Sequence, residues 1–445
     1  MTSTLHTLTV PLDGKSFPGG LPSFLVRDDV LCWMRREAGL VGFGETARFT
    51  ATGPDRFLEA DIWWRHLVLE ALVEDSVAVP GTGPVAFGSF AFSKTSAHES
   101  RLIVPEIVVG VRDGQAWLTH LRFDDGDLTP ERALATLERW LSGGAGSGSG
   151  PDSGSPASYI SSEIPTLETG SLSEEDWMAA VSAGVAEIRT GALEKLVLAR
   201  DVVATVPAGV NAADVLRELA LRYRETWTYG VDGLVGATPE MLIQVAGRTA
   251  QARVLAGTLD RRDAVADGGA PLAYAERVLA GSEKQRHEHQ IAIESLTSQL
   301  APFSDAMNAH DEPFILELPN VWHLASDVKA ELTEVEGHVP TCLALINALH
   351  PTAAVCGTPT EVAGALIRRL EHLDRGPYAG PVGWLDAAGN GEWGIALRGA
   401  VIEAPDRVRL YAGCGIVEGS VPEAELAETW AKFRPMLESL GLPTS

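Results

Sequence analysis

Positive charge is scarce in this chain. Its 445 residues hold 35 Lys and Arg against 60 Asp and Glu, a formal net charge of −25. A surface of that sign repels phosphate backbones and anionic lipid, so neither nucleic acid nor membrane is an expected partner. An anionic substrate would need a local cluster of donors or a metal to hold it. Cysteine is scarce as well: Cys32, Cys342, Cys356 and Cys414 are all there are. None forms a C-x-x-C pair and the spacings fit no zinc pattern, which predicts free thiols in a reducing compartment. No stretch approaches the roughly 20 apolar residues of a membrane span. The opening residues, MTSTLHTLTVPLDGKSFPGG, lack the continuous apolar core of a signal peptide. The expectation is a soluble, cytoplasmic protein. A self-similar period of about 20–50 residues, the mark of a solenoid, is absent too.

Apolar residues make up 45% and charged residues 21%, ordinary for a globular chain. The length suits one large α/β fold or more than one average domain. One strip, SGGAGSGSGPDSGSPAS (142–158), has nothing to bury and reads as a linker or a long loop. Before it, 84–93 and 101–121 predict strands and 129–143 a helix. After it, Trp177, Val181, Val185 and Ile188 give 174–191 a helical period. A helix over 275–300, β structure over 314–334, a hairpin over 381–398 and a last helix from about Glu423 to Leu440 follow. The pattern is mixed α/β without a βαβ repeat.

Several stretches carry chemically capable residues, and each alone has a plain structural explanation. In EKLVLAR (194–200), Lys195 shares a strand face with Leu193, Val197 and Ala199. A solvated strand end explains it; a pocket that keeps the amine neutral is the functional reading. On the return strand of GWLDAAGNGEWGIALR (383–398), small Gly394 and Ala396 leave space beside Arg398, suiting carboxylate capture. A surface Arg on a solvated face is the simpler explanation. Gly413 and Gly415 interrupt LYAGCGIV, as at a close backbone approach or a bend. Glu425, Glu428 and Lys432 form one helical stripe, either a solvated ion pair or a hard-cation site with an anion clamp. His287 and His289 point about 200° apart on a helix and cannot share a metal, so Glu288 is the better Mg²⁺ ligand. GATPEMLI (236–243) and ARVLAGTLDRR (252–262) place Glu240 and Gly257–Thr258 at turns.

Their order decides more than any one of them. EKLVLAR, GATPE, LAGT, SEKQRHEH, VWHLAS, LHPTAAVCG, GPVGWLDAAGNGEWGIALR, RLYAGCGIV and EAELAETWAK together closely resemble the chorismate-utilising enzymes: anthranilate, aminodeoxychorismate, salicylate and isochorismate synthases. The resemblance covers about 165–441, more weakly PVAFGSFAFS and IVPEIVV before it, and makes 1–141 the N-terminal part of the same fold. It implies a single α/β (α+β type) fold, two stacked β-sheets around a deep cleft with outer helices, with 142–158 a loop inside that fold.

Within the family, the pattern is similar to that of the isochorismate synthases. That resemblance makes Lys195 the general base and Glu240 the general acid, with His323 a third catalytic candidate lining the pocket. It makes Glu288 and Glu428 the Mg²⁺ ligands, with Glu425 behind them. Gly257, Thr258, Ala354, Arg398, Gly413 and Lys432 become the substrate contacts. The implied reaction adds water at C2 of chorismate and expels the C4 hydroxyl, for menaquinone or siderophore synthesis. Such chemistry needs a lysine well below its free value of about 10.4 and a glutamic acid raised toward neutrality. Lysine at 195 with alanine at 256 is the water-using pattern; ammonia-using relatives lack the lysine. No glutamine amidotransferase partner is implied, and a monomer is expected. Two departures stand out: VCG where relatives often have LSG, and Gln285 where several have an acid. Salicylate synthase and a non-catalytic chorismate-binding relative are the alternatives.

Overall fold

The computed structural model describes residues 4–13, 19–123, 127–143, 165–207, 209–263, 270–308 and 312–444. Beyond its first two residues, the Gly/Ser/Pro strip expected as a loop lies outside them. Among the described residues the strands form two large, mostly antiparallel sheets. In the first, Lys195–Thr205 pairs with Arg407–Ile416, followed by Gly399–Ala404, Leu234–Thr238 and Trp227–Val231. Leu31–Arg35, Ala38–Phe43, Ile107–Arg112, Gln115–Arg122 and His6–Leu12 continue it. The second runs from Val321–Leu332 through Thr249–Asp260, Met241–Ala246, Gly391–Ile395 and Pro381–Asp386. Val85–Ser89, Ser100–Val104 and Ala47–Ala51 complete it. Strands from the first 141 residues therefore enter both sheets beside strands from the rest of the chain.

Large apolar side chains fill the interior. Trp33, Trp117, Trp177, Trp384 and Trp393 are fully buried. Each buries on the order of 200 Å², so these five weigh heavily in the core. The Lys195–Thr205 strand is buried at ten of its eleven positions, as a strand covered on both faces must be. On one face, Trp177 of the helix Glu174–Arg189 donates its indole N–H to the Ala199 carbonyl at 3.0 Å. Helices start where the sequence offers a cap: Thr129, Ser173 and Asn211 each accept a first-turn N–H.

Two expected elements differ. The helix expected over 275–300 is broken. A short helix, Pro271–Ala275, runs into one π turn to Ala280, and Gly281–Ser282 then separates it from Glu283–Leu300. Ser282 caps the second helix by accepting from Gln285 N–H, so the cap sets a new start in an otherwise helical pattern. The return strand of the 381–398 hairpin ends at Ile395, so strand alternation does not carry through to Arg398.

Candidate active site

Two neighbouring strands leave the first sheet for the second side by side. Leu234–Thr238 pairs with Gly399–Ala404 in the first sheet, and Met241–Ala246 with Gly391–Ile395 in the second. The crossings are Pro239–Glu240 and Ala396–Arg398. They are tied together by Ile395 N–H to the Glu240 carbonyl and Ala237 N–H to the Arg398 carbonyl, each 3.2 Å. Glu240 and Arg398 therefore face the cleft from the junction of the two sheets. Arg398 pays for its place with φ 51°, a left-handed conformation costing of order 1 kcal/mol in a non-glycine residue. Both side chains are buried. Burial pushes the Glu240 carboxyl up to about 7, against the smaller downward pull of Lys195, Lys432 and Arg398. A carboxyl so placed is half protonated near neutrality.

The cleft holds about 710 Å³ of space, partly open to solvent. Of the residues expected to form the site, Glu240, Gly257, Thr258, Glu288, His323, Ala354, Arg398, Gly413, Glu428 and Lys432 line it. Glu425 and Lys195 do not. Glu425 is buried behind the wall, its backbone carbonyl accepting from the Cys414 thiol. Lys195 is only 1% exposed, which overturns the solvated strand-end reading. It lies behind Glu288, with Nζ 3.0 Å from Glu288 Oε1. Opposite, Val197 is in register with Gly415, where a Cβ would lie 2.2 Å from Glu288 Oε1 and 2.9 Å from the Lys195 side chain. Glycine at 415 thus makes room for the pair.

Arg398 donates to His323 Nε2 at 2.7 Å. His323 Nδ1 donates to the Gly257 carbonyl at 2.9 Å, which fixes the proton on Nδ1 and leaves Nε2 as the acceptor. Burial first, then Arg398, keeps this imidazole well below its ordinary pKa. Both ring nitrogens are engaged and the ring is neutral, so His323 holds Arg398 in place at the cleft. Gly257 sits at a bulge between the Ala256 and Thr258 pairings, with φ 74°. A Cβ there would lie 2.3 Å from Gln285 Oε1. That oxygen is buried and has no hydrogen-bond partner among the described residues.

Lys432 closes the far side, donating to the Gly413 carbonyl at 2.8 Å and pairing with Glu428 at 2.6 Å. Tyr378, Tyr411 and Arg375 also line the cleft; Tyr378 and Arg375 lie outside the quoted motifs, and Tyr411 lies in RLYAGCGIV, where only the glycines drew attention. Tyr378 and Tyr411 stack at 5.0 Å, 9° from parallel, giving a flat aromatic wall. Arg375 is buried against Glu371 and donates to the Val355 and Val197 carbonyls, both at 2.9 Å. Glu371 in turn accepts from Ala199 N–H. This pair fixes the wall strand to the 355–375 segment.

The residues fit a hard divalent cation. Glu288 and Glu428 face one cleft from two helices, each with an ammonium already balancing its charge. Two carboxylates completed by water are a usual Mg²⁺ environment. Among the described residues no cluster of three or more His, Cys, Asp or Glu could hold a metal, so a softer, protein-enclosed site is not formed.

Comparison with known proteins agrees with this geometry. Residues 27–441 match the family described as chorismate binding enzyme. Isochorismate synthase DhbC of Bacillus subtilis is 40% identical over 281 residues, 60% of this chain and 68% of that protein. The salicylate biosynthesis isochorismate synthase of Pseudomonas aeruginosa is 32% identical over 430 residues, 92% of this chain and 84% of that one. The solved structure of MenF, the menaquinone-specific isochorismate synthase of Escherichia coli, shares the fold with a TM-score of 0.75. It is 23% identical and covers 99% of this chain and 95% of its own. The chain belongs to the chorismate binding enzyme family.

Proposed function

We propose that this family member is an isochorismate synthase, converting chorismate reversibly to isochorismate. The observation that carries this is Glu240, a buried carboxyl with a pKa of about 7 facing one cleft with Arg398 and Lys432. Hydroxide is a poor leaving group, so a proton must reach the C4 oxygen as its bond to carbon breaks. Glu240 supplies that proton. Water attacking C2 gives up a proton to Lys195, which must enter this step as the neutral amine and leaves it as the ammonium. One water is consumed and one released, so atoms and charge balance.

Lys195 reaches the cleft only past Glu288, so its base role requires Glu288 to release it. Glu288 and Glu428 would hold a Mg²⁺, which would supply positive charge for one substrate carboxylate. Arg398, set by His323, takes the other carboxylate in bidentate fashion. Lys432 adds charge beside the Gly413 backbone. The Tyr378–Tyr411 wall matches a flat ring. Lysine at 195 with alanine at 256 favours water over ammonia as nucleophile.

Incubation of the purified protein with chorismate and Mg²⁺ tests the reading. Isochorismate without pyruvate is expected. Stoichiometric pyruvate and salicylate would identify a salicylate synthase instead, and binding without turnover a non-catalytic relative. Small-molecule chemistry in solution, without nucleic acid, membrane or glutaminase partner, fits the charge of −25 and the absence among described residues of a helix long and apolar enough to cross a membrane. We extend the reading to a cytoplasmic monomer.

A further inference from the structure

The guanidinium of Arg398 is held by His323, and the backbone of Arg398 is held as well. The residue lies between two peptide units, and each carbonyl is tied to a different strand. The Arg398 carbonyl accepts from Ala237 N–H at 3.2 Å. The Leu397 carbonyl accepts from the Tyr229 hydroxyl at 2.9 Å. Among the described residues, that is the one side-chain hydrogen bond made to the backbone of the 396–398 crossing. Peptide units are planar, so fixing both of them fixes the torsions in between, and Arg398 keeps its φ of 51°. Loss of either tie frees the residue toward the right-handed and extended regions that a non-glycine residue prefers, and the guanidinium moves with it.

The sheet is built to let that hydroxyl arrive. Tyr229, Gly236 and Gly399 lie in one row across three adjacent strands. The two glycines leave a bare strip on which the ring lies. A Cβ at Gly236 would fall 2.6 Å from the ring carbon that bears the hydroxyl, and one at Gly399 would meet the hydroxyl oxygen itself. Neighbouring strands are about 4.8 Å apart, so crossing one to reach the next takes a side chain as long as tyrosine's. A phenylalanine would cover the same strip and stop short of the carbonyl. The ring is fully buried and lines no part of the cleft, so Tyr229 does not touch the substrate.

We propose that Tyr229 is a positioning residue for the carboxylate anchor. Its buried hydroxyl holds the Leu397–Arg398 peptide so that the guanidinium stays aimed into the cleft. His323 fixes one end of the arginine and Tyr229 the other. The proposal rests on the reading of Arg398 as the group that takes a substrate carboxylate.

Tyr229→Phe removes the hydroxyl and keeps the ring. KM for chorismate is expected to rise about tenfold with kcat within about twofold, since an anchor used alike in ground and transition states changes binding alone. The circular dichroism spectrum is expected to stay unchanged. 4-Aminophenylalanine at position 229 returns a donor to the same place and is expected to recover most of the wild-type KM. A double-mutant cycle then ties the effect to Arg398. Chorismate Kd is measured by calorimetry in the Glu240→Gln background, where the general acid is gone. There Tyr229→Phe and Arg398→Lys are each expected to raise Kd about tenfold, and adding the first to the second changes it less than about twofold further. Because this readout is binding, it decides the proposal whether or not the native cleft turns chorismate over. Should Tyr229→Phe fail to fold, 4-fluorophenylalanine at the same position fills the hydroxyl's space without donating and replaces it in both arms. Unchanged KM and Kd, an effect on kcat alone, no recovery by 4-aminophenylalanine, or additive effects of the two substitutions would each overturn the proposal. Arg398→Lys binding chorismate as tightly as its parent would overturn the anchor reading beneath it.

Discussion

Glu240→Gln should make the protein more stable and inactive at once. The native carboxyl titrates at about 7 where an ordinary one titrates at 4.5, because burial penalises the charged form. At about 1.4 kcal/mol per pH unit, that difference amounts to roughly 3 kcal/mol. The sign follows from proton counts. Between 4.5 and 7 the folded state holds a proton that the unfolded state has lost, so Glu240 erodes stability as pH rises through that window. Its contribution is fully present below 4.5 and gone above 7. Glutamine is isosteric with the protonated acid and never ionises. Wild type and variant should therefore match near pH 4.5 and separate by about 3 kcal/mol above pH 8, with the variant the more stable. Urea midpoints, followed by tryptophan fluorescence at both pH values with matched m-values, measure it. The same substitution removes the proton for the C4 hydroxyl, so kcat should fall 10²–10⁴-fold. Wild-type turnover should decline above pH 7 as the acid is lost. Equal stability at both pH values, or a variant with near wild-type turnover, would refute the buried-acid reasoning.

Other perturbations separate the remaining roles. Lys195→Met should abolish turnover and, by stranding buried Glu288, cost about 3–5 kcal/mol; adding Glu288→Gln should restore most of the stability and none of the activity, read by thermal melting beside the chorismate assay. Glu288→Gln alone should raise the Mg²⁺ concentration for half-maximal activity at least tenfold, and an unchanged metal titration would remove it as a ligand. Gly415→Ala places a methyl 2.2 Å from Glu288 Oε1, so it should lower kcat by at least tenfold with the circular dichroism spectrum intact. His323→Ala should raise KM for chorismate about tenfold with a smaller change in kcat, while His323→Gln, which keeps an acceptor for Arg398, should recover part of it; a kcat-only effect would contradict the positioning role.

How much of this was legible in the sequence depended on range. Capped helices and alternating strands carry local signals, and the expected 129–143 and 174–191 helices formed as Pro130–Ser142 and Glu174–Arg189. The cleft residues were found by ordered resemblance, not by local pattern. The apolar face shared with Leu193, Val197 and Ala199 hinted at burial of Lys195 but left it undecided, because burial depends on the neighbouring strand and on a helix about ninety residues away. The alternation argument for Arg398 failed for the same reason, because strand alternation holds only while a strand stays in one sheet and this one ends at Ile395, yet Arg398 lines the cleft as the resemblance implied. Two pairs with the same i, i+4 spacing make the point. Glu371–Arg375 is buried, with side chains 1% and 2% exposed, whereas Glu428–Lys432 lines the cleft at 22% and 14%. Spacing predicts that such partners meet; only the surface they pack on decides whether they rivet a wall or face a ligand.

That distinction also shows how a chain of charge −25 can hold a dianion. The cleft is not a general basic patch, since two of its lining cations arrive with carboxylates attached: Arg375 with Glu371 and Lys432 with Glu428. Arg398 differs. Among the described residues it makes no ion pair within 4 Å, and its close partner is the neutral ring of His323. Burial without a contacting carboxylate pushes the guanidinium down to about 10, yet it stays charged at neutral pH. A buried cation held by an uncharged acceptor keeps its attraction for an incoming carboxylate, whereas a paired one must first give up its partner. Substrate binding should therefore depend most steeply on Arg398. Lys432 is tied to Glu428 at 2.6 Å, so the anion clamp and one of the proposed Mg²⁺ ligands form a single pair.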